Sequence, residues 1–413
     1  MKYGIIGESL IHSFSKEIHE QFAPYKYEIC EIKKENLKEF FIKKDFLGIN
    51  VTIPYKQLVI PYLNYIDDNA KEIGAINTIV NKNGTLYGYN TDFDGMIDLI
   101  NKNNIIIKNK TVLICGSGGT SSTAKCVSKK LGAKEIIIVG RNKKENVINY
   151  EEAYKQFNKF DIIINTTPIG MFPKTDSSPI DINIFSNAQV IIDCIYNPLR
   201  SELVYNSIIN GKKATGGLYM LVSQAIRASE KFLNIKYEKN IYDEVYNKIL
   251  NNKENIVLIG MPGSGKSTIG EVLSSITKRK IYDTDTMIIQ KCNMQIKEIF
   301  DKFGEEYFRN IEEEVIKEVS KFNNIIISTG GGSILRNNNI MRLKQNGKIF
   351  FIDRKVENII PTKSRPLSNN IESLKKLYNE RINYYLKASD IIIKNDKEIE
   401  DVVKEIINIK EEI

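Results

Sequence analysis

The chain has 413 residues, and 59 Lys+Arg against 51 Asp+Glu give it a formal net charge of +8. At roughly 150 residues per domain this length predicts two or three domains, and 42% hydrophobic with 27% charged residues excludes wholesale disorder. The surplus positive charge is spread without a dense basic block, which argues against a nucleic-acid partner and suits anionic small molecules.

In chain order, short strands at Tyr3–Ile6, Lys26–Ile32 and Leu47–Ile53 alternate with helical stretches as far as about residue 92. The apolar run in MKYGIIGESL is too short before Glu8 for a signal peptide, and no stretch approaches the roughly 20 apolar residues of a membrane span. No membrane partner is therefore expected. The five cysteines (Cys30, Cys115, Cys126, Cys194, Cys292) are odd in number and scattered, and they predict reduced thiols and a cytoplasmic location. Two neighbouring histidines, His12 and His19, offer little to a His-rich metal site or a Ser-His-Asp triad.

The run Thr111-Val-Leu-Ile-Cys115 opens into Gly116-Ser117-Gly118-Gly119, and a helix is predicted over Ser121–Leu131. Strands follow at Glu135–Val139, Asp161–Asn165 and Val190–Asp193. The pattern predicts two α/β lobes with a ligand cleft between them. Glycines after a strand let the backbone approach a pyrophosphate, although a tight bend explains them equally well. The second strand ends at Gly140-Arg141-Asn-Lys-Lys144. In a dinucleotide fold an acidic residue there selects NAD, whereas Arg141 favours the 2′-phosphate of NADP. Upstream, Lys56 ends Asn50-Val-Thr-Ile-Pro-Tyr-Lys56, and Asn90-Thr-Asp92 follows Gly88-Tyr89. Such a lysine–aspartate pair can move a proton and orient a hydroxyl while hydride leaves a cofactor, although a surface pair is the plainer reading of these two residues alone.

The polar stretch Asn251-Asn-Lys-Glu-Asn255 reads as a linker. After it, Gly260-Met-Pro-Gly263-Ser264-Gly265-Lys266-Ser267 fits the phosphate-binding loop pattern in full, with a helix predicted over Thr268–Ile276. Its backbone N–H groups would cradle a nucleoside triphosphate, Lys266 would reach the β and γ oxygens, and Ser267 would ligate Mg²⁺. Asp283-Thr-Asp285 is expected to end the next strand, which would place both carboxylates on one side. One would hold hydrated Mg²⁺ and the other an acceptor hydroxyl. Arg309, Ser328-Thr-Gly-Gly331-Gly332, Arg365-Pro-Leu367 and Arg381 follow, and they suit a small, anionic, polyhydroxylated acceptor. The two glycine turns differ in spacing, so no internal repeat is read.

Residues 1 to about 250 resemble shikimate dehydrogenases. The resemblance is carried by Gly4-x-x-Gly7, His12-Ser-x-Ser15, His19, Asn50-Val-Thr-x-Pro-x-Lys56, Gly74-Ala-x-Asn-Thr78 and Asn90-Thr-Asp92. It continues through Asn165-x-Thr-Pro-x-Gly-Met171, Asp193-x-x-Tyr196 and Gly217-x-x-Met-Leu-Val-x-Gln-Ala225. It implies Lys56 as the proton-transferring residue and Asp92 as its partner. Ser13, Ser15, Thr52, Asn77, Tyr196 and Gln224 would hold the ring's carboxylate and hydroxyls. Gly116, Ser117, Gly118, Gly119, Thr120, Arg141, Cys194 and Gly217 would face NADP. Two departures stand out: Lys16 takes the usual proline's place, and the interval from Arg141 to Asp161 is short for the family's crossover helix, with Val147–Tyr150 following the ribose turn directly.

Residues 254 to 413 resemble shikimate kinases in the order of their motifs. The resemblance implies Asp285, Arg309, Gly331 and Arg381 as shikimate contacts, Asp285 also serving the reacting hydroxyl, and Arg365 as a lid arginine over ATP. Gly263, Ser264, Gly265, Lys266, Ser267 and Thr268 would bind the nucleotide, and Ser267 and Asp283 would serve Mg²⁺. Val356–Ser364 is shorter than usual in this family.

The expected fold is α/β: a two-lobed dehydrogenase with a Rossmann-like NADP lobe, then a phosphate-binding-loop kinase domain with a parallel sheet. The expected division is 1–250 (substrate lobe about 1–92 plus 220–250, NADP lobe about 93–219), linker 251–255, and kinase 254–413. The implied function is NADPH-dependent reduction of 3-dehydroshikimate to shikimate, then ATP-dependent phosphorylation to shikimate 3-phosphate. A quinate/shikimate dehydrogenase using NAD is opposed by Arg141. A turnover-free sensor is opposed by the presence of Lys56, Asp92, Lys266 and Asp285. A short linker alone gives no ground for channelling, and none is expected.

Overall fold

Runs rich in β-branched residues, most of them closed by a glycine, asparagine or aspartate, set the strands of three separate sheets. A computed structural model provides the structure and describes residues 1–10, 13–143, 145–359 and 370–411. The chain divides into two units, Met1–Ile249 and Leu250–Ile413.

The first unit holds two six-stranded sheets. The first contains β1 (Tyr3–Gly7), β2 (Tyr27–Glu31), β3 (Gly48–Val51), β4 (Tyr65–Ile66), β5 (Thr78–Lys82) and β6 (Thr85–Tyr89) in the order β2-β1-β3-β5-β6-β4. β1 pairs in parallel with β2 and β3, while β5 runs antiparallel to β3 and β6. The β5–β6 turn is Asn83-Gly84, both at positive φ, the tight hairpin that Asn-Gly favours. Helices α1 (Ser15–Phe22), α2 (Leu37–Lys43), α3 (Asp68–Ile73) and α4 (Thr91–Lys102) complete this stretch. Asn90 caps α4 by accepting from Phe93 N, so Asp92 lies in a first turn, where the helix dipole favours a carboxylate.

The second sheet is wholly parallel: β7 (Thr111–Cys115), β8 (Glu135–Gly140), β9 (Val147–Asn149), β10 (Ile162–Asn165), β11 (Val190–Asp193) and β12 (Lys213–Thr215), in the order β12-β11-β10-β7-β8-β9. It carries α5 (Gly119–Lys130), α6 (Tyr150–Lys155) and α7 (Glu202–Ile209). The interval after Arg141 is therefore not devoid of a helix. Asn149 accepts from Glu152 N at 2.8 Å while the Glu152 carboxylate takes Asn149 N, and this capping box starts α6. α8 (Leu218–Leu233) joins both lobes: Met220 belongs to a core with Phe93 and Ile114, and Phe232 to one with Ile5 and Val80. α9 (Lys239–Lys253) follows.

In the second unit β13 (Asn255–Ile259), α10 (Lys266–Thr277), β14 (Lys280–Asp283), α11 (Thr284–Cys292), α12 (Ile296–Val319) and β15 (Ile325–Ser328) come first. α13 (Asn337–Asn346), β16 (Gly347–Asp353), α14 (Ile371–Ala388), β17 (Ile391–Lys394) and α15 (Ile399–Glu411) complete it. The sheet is parallel in the order β14-β15-β13-β16-β17, with the glycine loop rising from its central strand. The expected linker is not a loop. Residues 251–253 close α9, and Asn255 is a buried strand residue that donates to Phe322 O at 2.7 Å and accepts from Ile325 N at 3.0 Å. Its polarity is consumed inside the fold.

Candidate active sites

The first site is a cleft of about 370 Å³ in the first unit. Lys56, just beyond β3, and Asp92, on α4, meet there, with Lys56 Nζ donating to Asp92 Oδ2 at 2.6 Å. Their side chains keep only 23% and 16% exposure, so the pair is partly desolvated. Asn77 lies beside them. Its Oδ1 accepts from Thr91 N at 2.7 Å, Thr91 Oγ1 at 3.2 Å and Thr78 Oγ1 at 3.0 Å, which leaves its NH₂ for the cleft. Ser13, Ser15, Thr52, Tyr196 and Gln224 also line the cavity, so every substrate-contact residue expected for this half is brought together. Burial pushes the Tyr196 phenol and the Cys194 thiol upward, which keeps both protonated at neutral pH.

From the nucleotide lobe the cavity wall takes Thr120, Cys194 and Gly217, while Gly116, Ser117, Gly118, Gly119 and Arg141 lie outside it at the ends of β7 and β8. Gly116 needs its glycine: φ is +110°, and a Cβ would come within 2.7 Å of Thr166 Oγ1. Nothing lies within 4 Å of a Cβ placed at Gly118 or Gly119, and no side chain caps the start of α5. A pyrophosphate fits this cradle. Arg141 is exposed just beyond β8.

The second site is a cavity of about 380 Å³ in the second unit. Gly263 and Gly265 turn the phosphate loop with φ of +83° and +95°, and Lys266 Nζ folds back on the carbonyls of Gly260 and Met261 at 3.0 and 2.9 Å. Ser267 Oγ donates to Asp283 Oδ2 at 2.8 Å. Asp283 ends β14 and accepts from Thr286 N, thereby capping α11. Asp285 consequently sits in the first turn of α11 and not on the strand, and the two carboxylates reach one cavity because a helix starts between them. Opposite, Arg309 Nη1 donates to Glu312 Oε2 at 2.8 Å, and Arg381 Nη1 donates to Gly331 O at 3.1 Å. Burial pushes the Glu312 carboxyl up, and nearby Asp285 adds to the rise while Arg309 and Arg381 oppose it. A Cβ at Gly330 would approach Asp285 Oδ1 to 2.6 Å and Glu312 Oε1 to 2.9 Å, so the glycine run lets this charged cluster close.

Residues 5–79 match the family model for the shikimate dehydrogenase substrate binding domain, and residues 262–410 match the model for shikimate kinase. The NADP(+)-type shikimate dehydrogenase of Clostridium beijerinckii is 39% identical over 259 residues, which cover 59% of this chain and 96% of that protein. The chain belongs to the shikimate dehydrogenase family. Its second unit carries a shikimate kinase domain. Among solved structures, shikimate dehydrogenase 1 from Peptoclostridium difficile superposes with a TM-score of 0.56 at 36% identity, covering 60% of this chain and 98% of that one. A chorismate mutase/shikimate 5-dehydrogenase fusion protein from Clostridium acetobutylicum gives 0.57 at 38%, covering 60% and 96%.

Of the expected kinase-half residues, Gly263, Gly265, Lys266, Ser267, Thr268, Asp283, Asp285, Arg309, Gly331 and Arg381 line the second cavity. Ser264 does not: it is fully buried, and Asn395 Nδ2 donates to its carbonyl at 2.6 Å. Arg365 lies outside the described residues, as do His12 and Lys144. The sequence reading passed over Asn50 as a site residue, and it also missed Glu312 and Arg354. Glu312 carried a faint signal, since an i,i+3 spacing from Arg309 on a helix puts the two side by side. No group of three His, Cys, Asp or Glu side chains among the described residues forms a metal cluster. The Ser267–Asp283 pair still fits Mg²⁺, an ion that takes most of its ligands from phosphates and water. No described helix is long and apolar enough to cross a membrane.

Proposed function

We propose that the chain performs two consecutive reactions: reduction of 3-dehydroshikimate to shikimate with NADPH in residues 1–250, and phosphorylation of shikimate by ATP in residues 254–413. The observation that carries this reading is a cavity in each unit lined by side chains suited to a polyhydroxylated carboxylic acid, the first reached by Thr120 at the end of the glycine turn and the second by the phosphate loop itself. The hydroxyl that the first reaction makes is the one the second phosphorylates.

In the first cleft Lys56 gives a proton to the ketone oxygen, and Asp92 holds the ammonium in place and accepts from the neighbouring ring hydroxyl. The serine pair Ser13 and Ser15 takes the carboxylate, and Asn77, Thr52, Tyr196 and Gln224 fix the ring. NADPH, when bound across the Gly116–Thr120 turn with Arg141 at its 2′-phosphate, supplies the hydride. In the second cavity Arg309 and Arg381 bind the acid, and Asp285 orients its reacting hydroxyl and accepts the proton. Lys266 and the loop amides neutralise the phosphates, with Mg²⁺ held through Ser267 and Asp283. All substrates are small and soluble, and a cytoplasmic location suits them.

The test is to give the purified chain 3-dehydroshikimate, NADPH, ATP and Mg²⁺, following NADPH by absorbance and products by mass spectrometry. NADPH loss and shikimate 3-phosphate should appear together. Lys56→Ala should stop both, and Lys266→Ala should leave unphosphorylated shikimate. A folded chain that binds both nucleotides yet makes neither product refutes the reading. Equal efficiency with NADH refutes the NADP assignment alone.

A further inference from the structure

Among the described residues that line the second cavity, Arg354 is the one cation to which neither the phosphate loop nor the acceptor cluster gives a task. It follows Asp353, the last residue of β16, and lines the cavity. A Cβ built on Gly265 would lie 4.0 Å from its Nη1, so the guanidinium stands beside the last glycine of the phosphate loop. Its Nε is buried and donates to no acceptor among the described residues. The adjacent acid does not neutralise it, because Asp353 takes Lys394 Nζ at 2.5 Å on Oδ2 and Tyr378 OH at 3.2 Å on Oδ1. The backbone beneath is anchored: Asn395 N donates to Asp353 O at 2.8 Å while Asn395 Nδ2 donates to Ser264 O at 2.6 Å. This tie fixes the end of β16 to the loop itself.

A guanidinium cannot shed its charge, and this one stands on the cavity wall with Nη1 beside the phosphate loop and no carboxylate paired to it among the described residues, so the position calls for an anion. Strand order says which one. β16 flanks the central β13 on the side opposite β15 and β14, whose ends bring in the glycine run, Asp283 and Asp285. The phosphate loop thus stands between Arg354 and the acceptor cluster. We propose that Arg354 is a nucleotide-binding residue that pairs with the diphosphate oxygens common to ATP and ADP. This assignment rests on the kinase reading of the second unit.

The experiment is calorimetric titration of the full chain with ADP in the presence of Mg²⁺, and separately with shikimate. Arg354→Gln should weaken ADP binding by at least roughly threefold and on the order of tenfold, the scale of one charged hydrogen bond. Arg354→Lys, which keeps the charge, should lose less, and shikimate affinity should stay at the wild-type level in both variants. An Arg354→Gln loss under roughly threefold overturns the assignment, as does a lysine variant no better than the glutamine one, or a matching fall in shikimate affinity. Absence of ADP binding by the wild-type chain would sink the kinase reading together with this one. Unchanged affinity in Arg354→Gln sinks this one alone.

Discussion

Lys56 and Asp92 stand 36 positions apart in sequence and 2.6 Å apart in space, one carried by the chain leaving β3 and the other by the first turn of α4. The helix start fixes the carboxylate and the carboxylate holds the lysine Nζ, so the proton donor is aimed before substrate arrives. Lys56→Met removes the donor while keeping the length of the stem. It should lower kcat for shikimate oxidation by about 10²- to 10⁴-fold, with KM changed far less. Steady-state kinetics in both directions checks this, and a variant retaining roughly a tenth of the wild-type kcat would remove Lys56 from the chemistry.

Asn77 works through neighbours that never touch the cleft chemistry. Three donors from Thr91 and Thr78 hold its Oδ1, and this decides which end of the carboxamide the substrate meets. Thr91→Val deletes one donor and leaves a buried acceptor underserved. The expected effect is a rise in KM for shikimate of about fivefold, with kcat reduced less, in line with a lost neutral hydrogen bond. Thr91→Ser should restore the wild-type KM. A serine variant as impaired as the valine one would point to packing and not to the hydroxyl.

The strands were legible because their residues are β-branched and their ends are marked: β7, β8, β10, β11 and β13 follow directly from composition and turn residues. The edge strands β4, β9 and β12 have two or three residues each and show no period to read. The catalytic pair and the phosphate loop were visible as motifs. Glu312 was not, since it is one of several acids on α12, and only the fold buries this one against Arg309. Asp285 was found for the wrong reason: a period-2 argument placed it, and the Asp283 cap carries it. Asn255 looked like a linker residue because one sequence cannot show that a polar side chain has found buried partners.

The glycine run in the second unit gives a sharper test than any charged residue there. A Cβ on Gly332 would collide with the Arg309 guanidinium, which is already fixed by Glu312 and Glu305. Gly332 is not at positive φ, so alanine strains no backbone and acts through this contact alone. Gly332→Ala should weaken shikimate binding by about tenfold or more while leaving ADP affinity unchanged, because one cation on the acceptor side is displaced. Calorimetry with each ligand separates the two. Equal losses for both ligands would mean that the loop as a whole has moved.

His19 makes the stability of the first unit depend on acid. It lies fully buried, stacked on Tyr27 at 3.9 Å with Nδ1 3.0 Å from Tyr25 OH. Burial pushes its pKa down from 6.5 to about 3, a polar contact with Asn50 opposing. The unfolded chain therefore binds more protons than the folded one between those two values, and stability falls as pH drops from 6.5 towards 3. At pH 5 the loss from this group is about 2 kcal/mol relative to neutral pH. His19→Gln cannot charge. Its urea midpoint, followed through loss of dehydrogenase activity, should change less between pH 7 and pH 5 than the wild-type midpoint, by that free energy divided by the m-value, on the order of 1 M. Parallel pH profiles for the two proteins would show that another group controls the acid limb.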